Sequence, residues 1–439
     1  DDGSANLLSR IADGTGSHPW LLIALRRDDD GGFVTEVGES IPIGPLPDDV
    51  VRALTISATE AAPLRPHEID LVVARSAGSP LFVGELIAAA QELGSLDAVP
   101  ESLQGTLAAQ VDALDPLSKR VLSYASVLGR SFRRSVVEAL LQYEGLELDQ
   151  ATIAQLARFL EADGPLRYRF RNGLVCDVVY DSLAYRSRAR LHLAAGEAFE
   201  KLASGDDAEV AMLSLHFSNS GDHTRAYRYA RTAAERAGSQ FAASEAAVHY
   251  ERAIEAARRL DVGDEELQGL LIALGDARVL AGLFDASLDA YRRAAQVART
   301  DYVARAEIAL RRARVHDHTT AYASALSETT RGRKLAASAE LGARSDAVQA
   351  HLLAFAAIVQ ARQARSKQAL RNGWAAAELA ERCGETEALA RAYHAIYLAE
   401  SNVGKDGSEV WAQRAFELYE AAGDMEGQAV MAMNLGVSA

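Results

Sequence analysis

Cysteine is nearly missing from this sequence. The two residues, Cys176 and Cys383, lie far apart. That excludes a disulfide framework and points to a reduced, cytoplasmic protein. No run of 18 apolar residues occurs, so nothing in the sequence reads as a membrane span. Lysine is scarce, with Lys119, Lys201, Lys334, Lys367 and Lys405 against abundant arginine. There is no initiator methionine and no signal peptide. The opening D-D-G-S-A-N reads as the interior of something longer. Positive charge is also in deficit, with a net charge of −15. An acidic chain repels phosphate backbones, which argues against nucleic acid as a partner of the whole chain. A G-x-x-x-x-G-K-[ST] phosphate loop is absent too. The single Gly-Lys, Gly404-Lys405, has Ala399 where the first glycine belongs and Asp406 where the hydroxyl belongs. His316 and His318 have no third ligand nearby, so they read as surface residues rather than a metal site. Asp28 to Asp30 read as a solvated turn. No Ser–His–Asp or Cys–His grouping has a recognisable local context, so no catalytic residue is expected.

What is present is a 49% hydrophobic chain of 439 residues, enough for two to four domains. Asp1 to Ala12 reads as a helix, followed by a turn at Gly14 to Ser17. Trp20 to Leu25 is a short apolar run of the kind expected of a buried parallel strand. Arg26 and Arg27 follow it. Phe33 to Val37 and Ser40 to Ile43 read as short strands, and a helix runs from about Asp48 to Ala61. The chain then reaches the stretch around which the rest is organised, R-S-A-G-S-P-L-F-V-G-E-L from Arg75 to Leu86. On spacing alone this is a helix start, capped by Ser79 with Pro80 in the first turn.

Beyond it, helices are expected at Pro100–Leu114, Leu117–Leu128, Ser131–Leu141 and Asp149–Leu160. Gly164 to Arg171 alternates apolar and basic residues and reads as a strand or wing. Asn172 to Leu183 returns to helix.

G-S-P-L-F-V-G-E-L resembles the G-N-P-L-F-x-x-E-L signature of bacterial signal-transduction ATPases, the STAND branch of AAA+-like NTPases. Ser79 stands where the family has Asn. The resemblance implies that Pro80 packs on an adenine base and that Gly78 permits the tight turn. The opening D-D-G-S-A-N-L-L-S-R-I is similar to the segment just after the family's Walker B residues. By the same resemblance Arg26 or Arg27 would sense the γ-phosphate. These nucleotide roles would need the missing P-loop part, so ATP or ADP and magnesium would belong to the full-length protein and none to this chain. Y-R-F-R-N-G-L-V-C-D-V-V-Y-D-S-L resembles the family's winged-helix segment, with Asn172 in place of His and Cys176 in place of Arg. There the fold serves as an intramolecular brace. Arg167, Arg169, Arg171, Arg186, Arg188 and Arg190 are the residues that would meet DNA if the winged helix read it.

From about Asp206 the chain reads as helical throughout, with internal repetition. Leu271, Leu274, Gly275, Ser287, Tyr291 and Ala294 fit a tetratricopeptide pattern. Ala246, Tyr250 and Ala253 repeat the second-helix part of it about 41 residues earlier. Looser copies fall at Ala313, Tyr322 and Ala325, and at Ala357 and Ala369. Asn434-Leu435-Gly436 resembles the first helix of a further repeat, and Gly221 and Gly282 occupy like points in turns. Small residues let paired helices touch, and the aromatic fills the gap to the next pair.

The expected architecture is therefore mostly α: a remnant of an α/β NTPase core (1–62), a helical lid (63–100), a winged-helix-like domain (101–203) and an α-solenoid of tetratricopeptide-like repeats (204–439). The family resemblance implies a regulatory portion that is not itself an enzyme. The repeat array would bind a protein or small-molecule inducer and control an output domain outside this chain, either a nucleotide cyclase or a LuxR-type DNA-binder. A stand-alone tetratricopeptide scaffold and the sensor part of a DNA-binding regulator remain the alternatives.

Overall fold

The computed structural model describes residues 2–17, 20–24, 39, 41–60, 63–93, 102–202, 207–339 and 342–436. The chain is nearly all helix, with one small sheet. It divides into two compact units, residues 1–204 with 219–221, and residues 205–218 with 222–439. No described helix is long and apolar enough to cross a membrane.

The first unit opens with α1 (Asp2–Gly14), followed by a single 3₁₀ turn at Thr15–Ser17. The strand expected at Trp20 to Leu25 does not form over residues 20–24. These have no regular structure, and Trp20, Leu21 and Ile23 are exposed. Residues 41–43, expected in a second strand, are likewise irregular. A buried parallel strand needs neighbours on both edges, and the described sheet lies elsewhere in the chain. Leu25, Arg26, Arg27, Asp28 to Asp30, Phe33 to Val37 and Ser40 lie outside the described residues.

Three helices follow: α2 (Asp48–Ala58), α3 (Pro66–Ser76) and α4 (Pro80–Leu93). Pro66 opens α3, where its missing N–H costs nothing, and Glu68 reaches back to accept from the Arg65 backbone N–H at 2.8 Å. Val51, Val72, Val83, Leu86 and Ile87 form the core between the three helices.

The body that follows is α5 (Leu103–Asp112), α6 (Pro116–Leu128), β1 (Ser131–Arg133), α7 (Arg134–Tyr143), α8 (Gln150–Leu156), β2 (Leu160–Ala162), β3 (Arg167–Phe170), α9 (Gly173–Ser182) and α10 (Tyr185–Leu202). The sheet is antiparallel in the order β1-β3-β2. Two expected helices are corrected here. Ser131–Arg133 pairs with β3, Ser131 opposite Arg169, so the helix starts only at Arg134. The helix from 149 stops at Leu156, and Leu160 opens β2 opposite Phe170. Both short strands carry local helical spacing, and tertiary pairing with β3 overrides it. Caps match the side chains present. Asp115, Asp149 and Asn172 accept from backbone N–H groups at the starts of α6, α8 and α9.

The second unit is a run of antiparallel helices: α11 (Asp207–Ser220), α12 (His223–Ser239), α13 (Ala243–Arg259), α14 (Asp264–Leu280), α15 (Phe284–Val297), α16 (Tyr302–His318), α17 (Tyr322–Ser338), α18 (Ala343–Arg362), α19 (Ser366–Cys383), α20 (Thr386–Ser401), α21 (Glu409–Ala422) and α22 (Met425–Leu435). They pack as tetratricopeptide-like pairs, α12 with α13, α14 with α15, α16 with α17, α18 with α19 and α20 with α21. The residues picked from the pattern lie at these contacts. Leu271, Leu274, Tyr291 and Ala294 are buried in one core, and a Cβ on Gly275 would stand 2.4 Å from the Tyr291 ring. Glycine fits there because the Tyr291 ring of α15 takes the space a side chain would need. Ala246, Ala253, Ala313, Ala325, Ala357 and Ala369 are also buried. Gly221 and Gly282 each precede a helix start by two residues, with φ of 82° and 76°. Gly436 does not continue a helix as expected but ends α22 in the left-handed conformation.

Candidate functional site

The first helices of successive pairs, α14, α16, α18 and α20, carry a ribbon of charged and imidazole side chains. Arg311 of α16 lies 3.4 Å from Asp276 of α14, which also accepts from the Tyr291 hydroxyl at 2.6 Å. Arg314 of α16 reaches Glu387 of α20 at 3.6 Å, and Arg391 meets the same carboxylate at 2.7 Å. Arg391 also lies 3.4 Å from Asp424, the N-cap of α22. His351 of α18 faces Glu385 at 3.5 Å. The Arg314–Glu387 pair links α16 to α20, the first helices on either side of α18, and Arg314 keeps 36% of its side chain exposed.

Arg314 and Arg391 both approach Glu387, and Arg391 has Asp424 as a second carboxylate. Burial, then the neighbouring Arg391 charge, bring the Arg314 guanidinium down to about 10. It remains a cation at neutral pH. Burial also lowers the His351 imidazole, opposed by Glu387 and reinforced by both arginines. Three buried polar atoms in this group find no partner: Arg314 Nε, Arg391 Nε and His351 Nδ1. Two are N–H donors, and the third belongs to a ring that can donate or accept. Other buried polar atoms of the array are likewise unpartnered, among them Arg312 Nε, Asp317 Oδ1 and Glu328 Oε2. Chemically the group can hold an anion, a carboxylate above all, between two arginines.

The residues selected from the sequence lie in the other unit. Gly78 takes φ +74° after Ala77, itself left-handed at φ 47°. A Cβ on Gly78 would meet Leu46 O at 2.6 Å and Pro45 Cβ at 2.7 Å, and the Leu46 N–H donates to Gly78 O at 2.8 Å. The G-P-L-P segment is thus laced to the Gly-x-Pro turn. Ser79 Oγ sits 3.4 Å from the Phe82 N–H, a weak cap, and Pro80 is exposed at the start of α4. Arg26 and Arg27 lie outside the described residues. The chain's own Pro45 and Leu46 lie against Gly78, and the sequence has no G-x-x-x-x-G-K-[ST] loop.

Four of the six arginines that would meet DNA make contacts within the fold. Arg169 and Arg171 pair with Glu161 at 2.7 and 3.3 Å, and Arg167 donates to Ser131. Arg188 donates to the Leu183 and Asp181 carbonyls and lies over the Tyr180 ring. Arg186 and Arg190 are exposed. Cys176 and Cys383 are both free thiols. His318 stacks on Phe284, and no group of three or more metal-ligating side chains occurs among the described residues.

The ribbon was not picked out from the sequence, although a signal exists. Asp276, Arg314, His351, Glu387 and Asp424 follow one another at steps of 36 to 38 residues, the length of one helix pair. In a chain that is 24% charged, such a period does not stand out without the helix pairing.

No family model matches the chain, and no curated protein matches it in sequence. Solved structures resemble it at low identity. A signal-transduction ATPase with numerous domains and a tetratricopeptide-repeat sensor, from Pyrococcus horikoshii, is 13% identical, with a TM-score of 0.36 over 89% of this chain and 56% of that one. Aspartyl phosphate phosphatase F from Bacillus subtilis is 13% identical, with a TM-score of 0.42 over 75% of this chain and 78% of that one. A Rap protein complexed with competence and sporulation factor is 8% identical, with a TM-score of 0.35 over 76% and 97%. The chain thus spans a little over half the length of the Pyrococcus protein. With TM-scores below 0.5, none of these assigns a site or a partner to this chain.

Proposed function

We propose that this chain is the sensor and partner-binding portion of a signal-transduction ATPase, and that α16, α18 and α20 form a groove that holds its inducer through a carboxylate. The observation that carries the reading is the convergence of Arg314 and Arg391 on one glutamate, with Arg314 Nε, Arg391 Nε and His351 Nδ1 left unpartnered beside it. An incoming carboxylate would supply acceptors to the unpartnered Nε–H groups, in competition with Glu387 and Asp424.

The ATPase context rests on the G-S-P-L-F-V-G-E-L resemblance, supported by the left-handed Gly78 turn and the exposed Pro80. In that reading Gly78 and Pro80 meet the adenine and Arg26 and Arg27 the phosphates, with the P-loop and magnesium supplied by the full-length protein. The β1-β3-β2 sheet with its helices is the winged-helix brace. The internal pairing of Arg167, Arg169, Arg171 and Arg188 speaks for a brace and against DNA contact. This chain binds and regulates, and the output chemistry lies outside it.

The test is an immobilised array of pentapeptides, each made with a free C-terminal carboxylate and as its amide. The purified chain should capture a subset of the free acids and release it when Arg314 or Arg391 is changed to Gln. Capture of acids and amides alike, or none at all, would remove the carboxylate reading. ATP turnover by the purified chain would remove the regulatory one.

A further inference from the structure

The helix–sheet body of the first unit contains an open cavity of about 220 Å³. Val121, Phe132, Val137, Leu156 and Leu160 form its walls, and Arg134, Tyr168, Glu161 and Arg171 its polar edge. Close-packed interiors hold few voids larger than a water molecule. An apolar cavity of ~150 Å³ is enough for one benzene. On that scale this one admits about nine non-hydrogen atoms, a single ring with a short substituent or a short chain.

Two guanidinium groups and one carboxylate, Arg134, Arg171 and Glu161, stand at the edge of the cavity. Arg134 pairs with Glu138 at 2.6 Å, and Glu161 lies 2.7 Å from Arg169, which is outside the lining, and 3.3 Å from Arg171. Arg171 is thus the less closely paired of the two guanidinium groups at the opening. Arg171 Nε is committed to the Ala157 carbonyl at 2.8 Å, which fixes its plane beside the opening while its terminal nitrogens meet only a shared glutamate. A hydrocarbon would fill the walls and leave Arg171 loosely paired. A molecule with one carboxylate and an apolar body would answer both.

We propose that this cavity is a binding site for a small monocarboxylate whose apolar body is one ring or a short alkyl chain, held with its carboxylate at Arg171 and Arg134. The site is separate from the groove of the repeat array and stands on different observations.

The experiment titrates the full chain calorimetrically with phenylacetate and octanoate, and with their neutral counterparts 2-phenylethanol and octanol. At least one acid should bind about tenfold more tightly than its alcohol, as a charge-assisted pair requires. The comparison of the two acids tells a ring from a chain. Ala157→Trp and Ala162→Trp place bulk at exposed positions on the rim. They should weaken the acid at least tenfold at an unchanged melting temperature, and Arg171→Gln should bring the acid down to the affinity of the alcohol. Failure of both acids to bind at millimolar concentration, equal binding of acid and alcohol, or wild-type binding by both tryptophan variants would overturn the proposal.

Discussion

Arg314 on α16 and Glu387 on α20 meet at 3.6 Å over the face of α18. The pair ties two first helices that are not neighbours in the array, and Arg391 competes for the same carboxylate at 2.7 Å. Removing one member does not have the same effect as removing the other. Glu387→Gln removes the carboxylate that Arg314 and Arg391 share and leaves Arg391 with Asp424, so it should cost about 1–2 kcal/mol of stability. Arg314→Met removes a partly desolvated charge and should stay within about 0.5 kcal/mol of wild type. Urea unfolding of the two variants measures the asymmetry, and equal losses would deny it.

Gly275 and Gly269 lie on one helix in opposite situations. A methyl on Gly275 would sit 2.4 Å from the Tyr291 ring, whereas a methyl on Gly269 would meet nothing within 4 Å. Gly275→Ala should therefore destabilise the array by about 1–3 kcal/mol through overpacking. Gly269→Ala should stabilise it by about 0.5–1 kcal/mol through helix propensity. Opposite shifts in melting temperature are expected, and shifts of the same sign would show that the α14–α15 contact is looser than described.

Gly78 combines a left-handed backbone with backbone neighbours. Leu46 O and Pro45 Cβ would stand at 2.6 and 2.7 Å from an added Cβ. Neither belongs to a flexible side-chain end, so Gly78→Ala should cost more than the ~1 kcal/mol usual for an alanine at positive φ. The loss should concentrate in α2–α4. Hydrogen exchange should show the Leu46 N–H, bonded to Gly78 O, losing protection in the variant. Retained protection there would contradict the interlock.

The pH dependence has a defined window. Burial holds the His192 imidazole at about 4, with Arg188 adding to it, and holds His394 at about 4, with Arg362 and Arg391 adding to it. In the unfolded chain both titrate near 6.5. Their contribution is therefore complete above about pH 6.5 and is lost as pH falls toward 4, at up to ~1.4 kcal/mol per pH unit for each imidazole. Glu68, held down to about 2 chiefly by Arg65, stays ionised in the folded state throughout that window. Urea midpoints at pH 7.5 and 5.0 should drop for both units. His192→Gln should flatten the drop in the first unit and His394→Gln in the second. A drop unchanged in both variants would place its origin elsewhere.

Regular spacing made some of this architecture readable from the sequence. The Leu271-Leu274-Gly275 and Ser287-Tyr291-Ala294 pattern identified a real helix pair, because close packing demands those sizes at those positions. The remaining pairs were fainter, and the turns show why. The left-handed residue two or three places before a helix is glycine at 221, 282, 384, 407 and 423 but Phe241, Asp261, Thr320 and Ala364 elsewhere. Their strain is held by packing, which leaves no glycine to read. β1 and β2, three residues each, carry no alternation long enough to count and exist because β3 pairs with both. Trp20 to Leu25 misled in the opposite way, since an apolar run does not supply its own sheet. The groove was hidden because arginine, histidine and glutamate become a site only when α16, α18 and α20 bring them together.

The most direct test of the carboxylate groove is a titration of one array-selected pentapeptide against the wild-type chain, Arg314→Gln and Arg391→Gln, at low and high salt. Each variant should lose at least tenfold in affinity with an unchanged melting temperature, and the wild-type affinity should fall with salt as an arginine–carboxylate contact requires. Equal affinity in all three proteins, or binding indifferent to amidation of the peptide, would contradict the assignment of this groove as the inducer site.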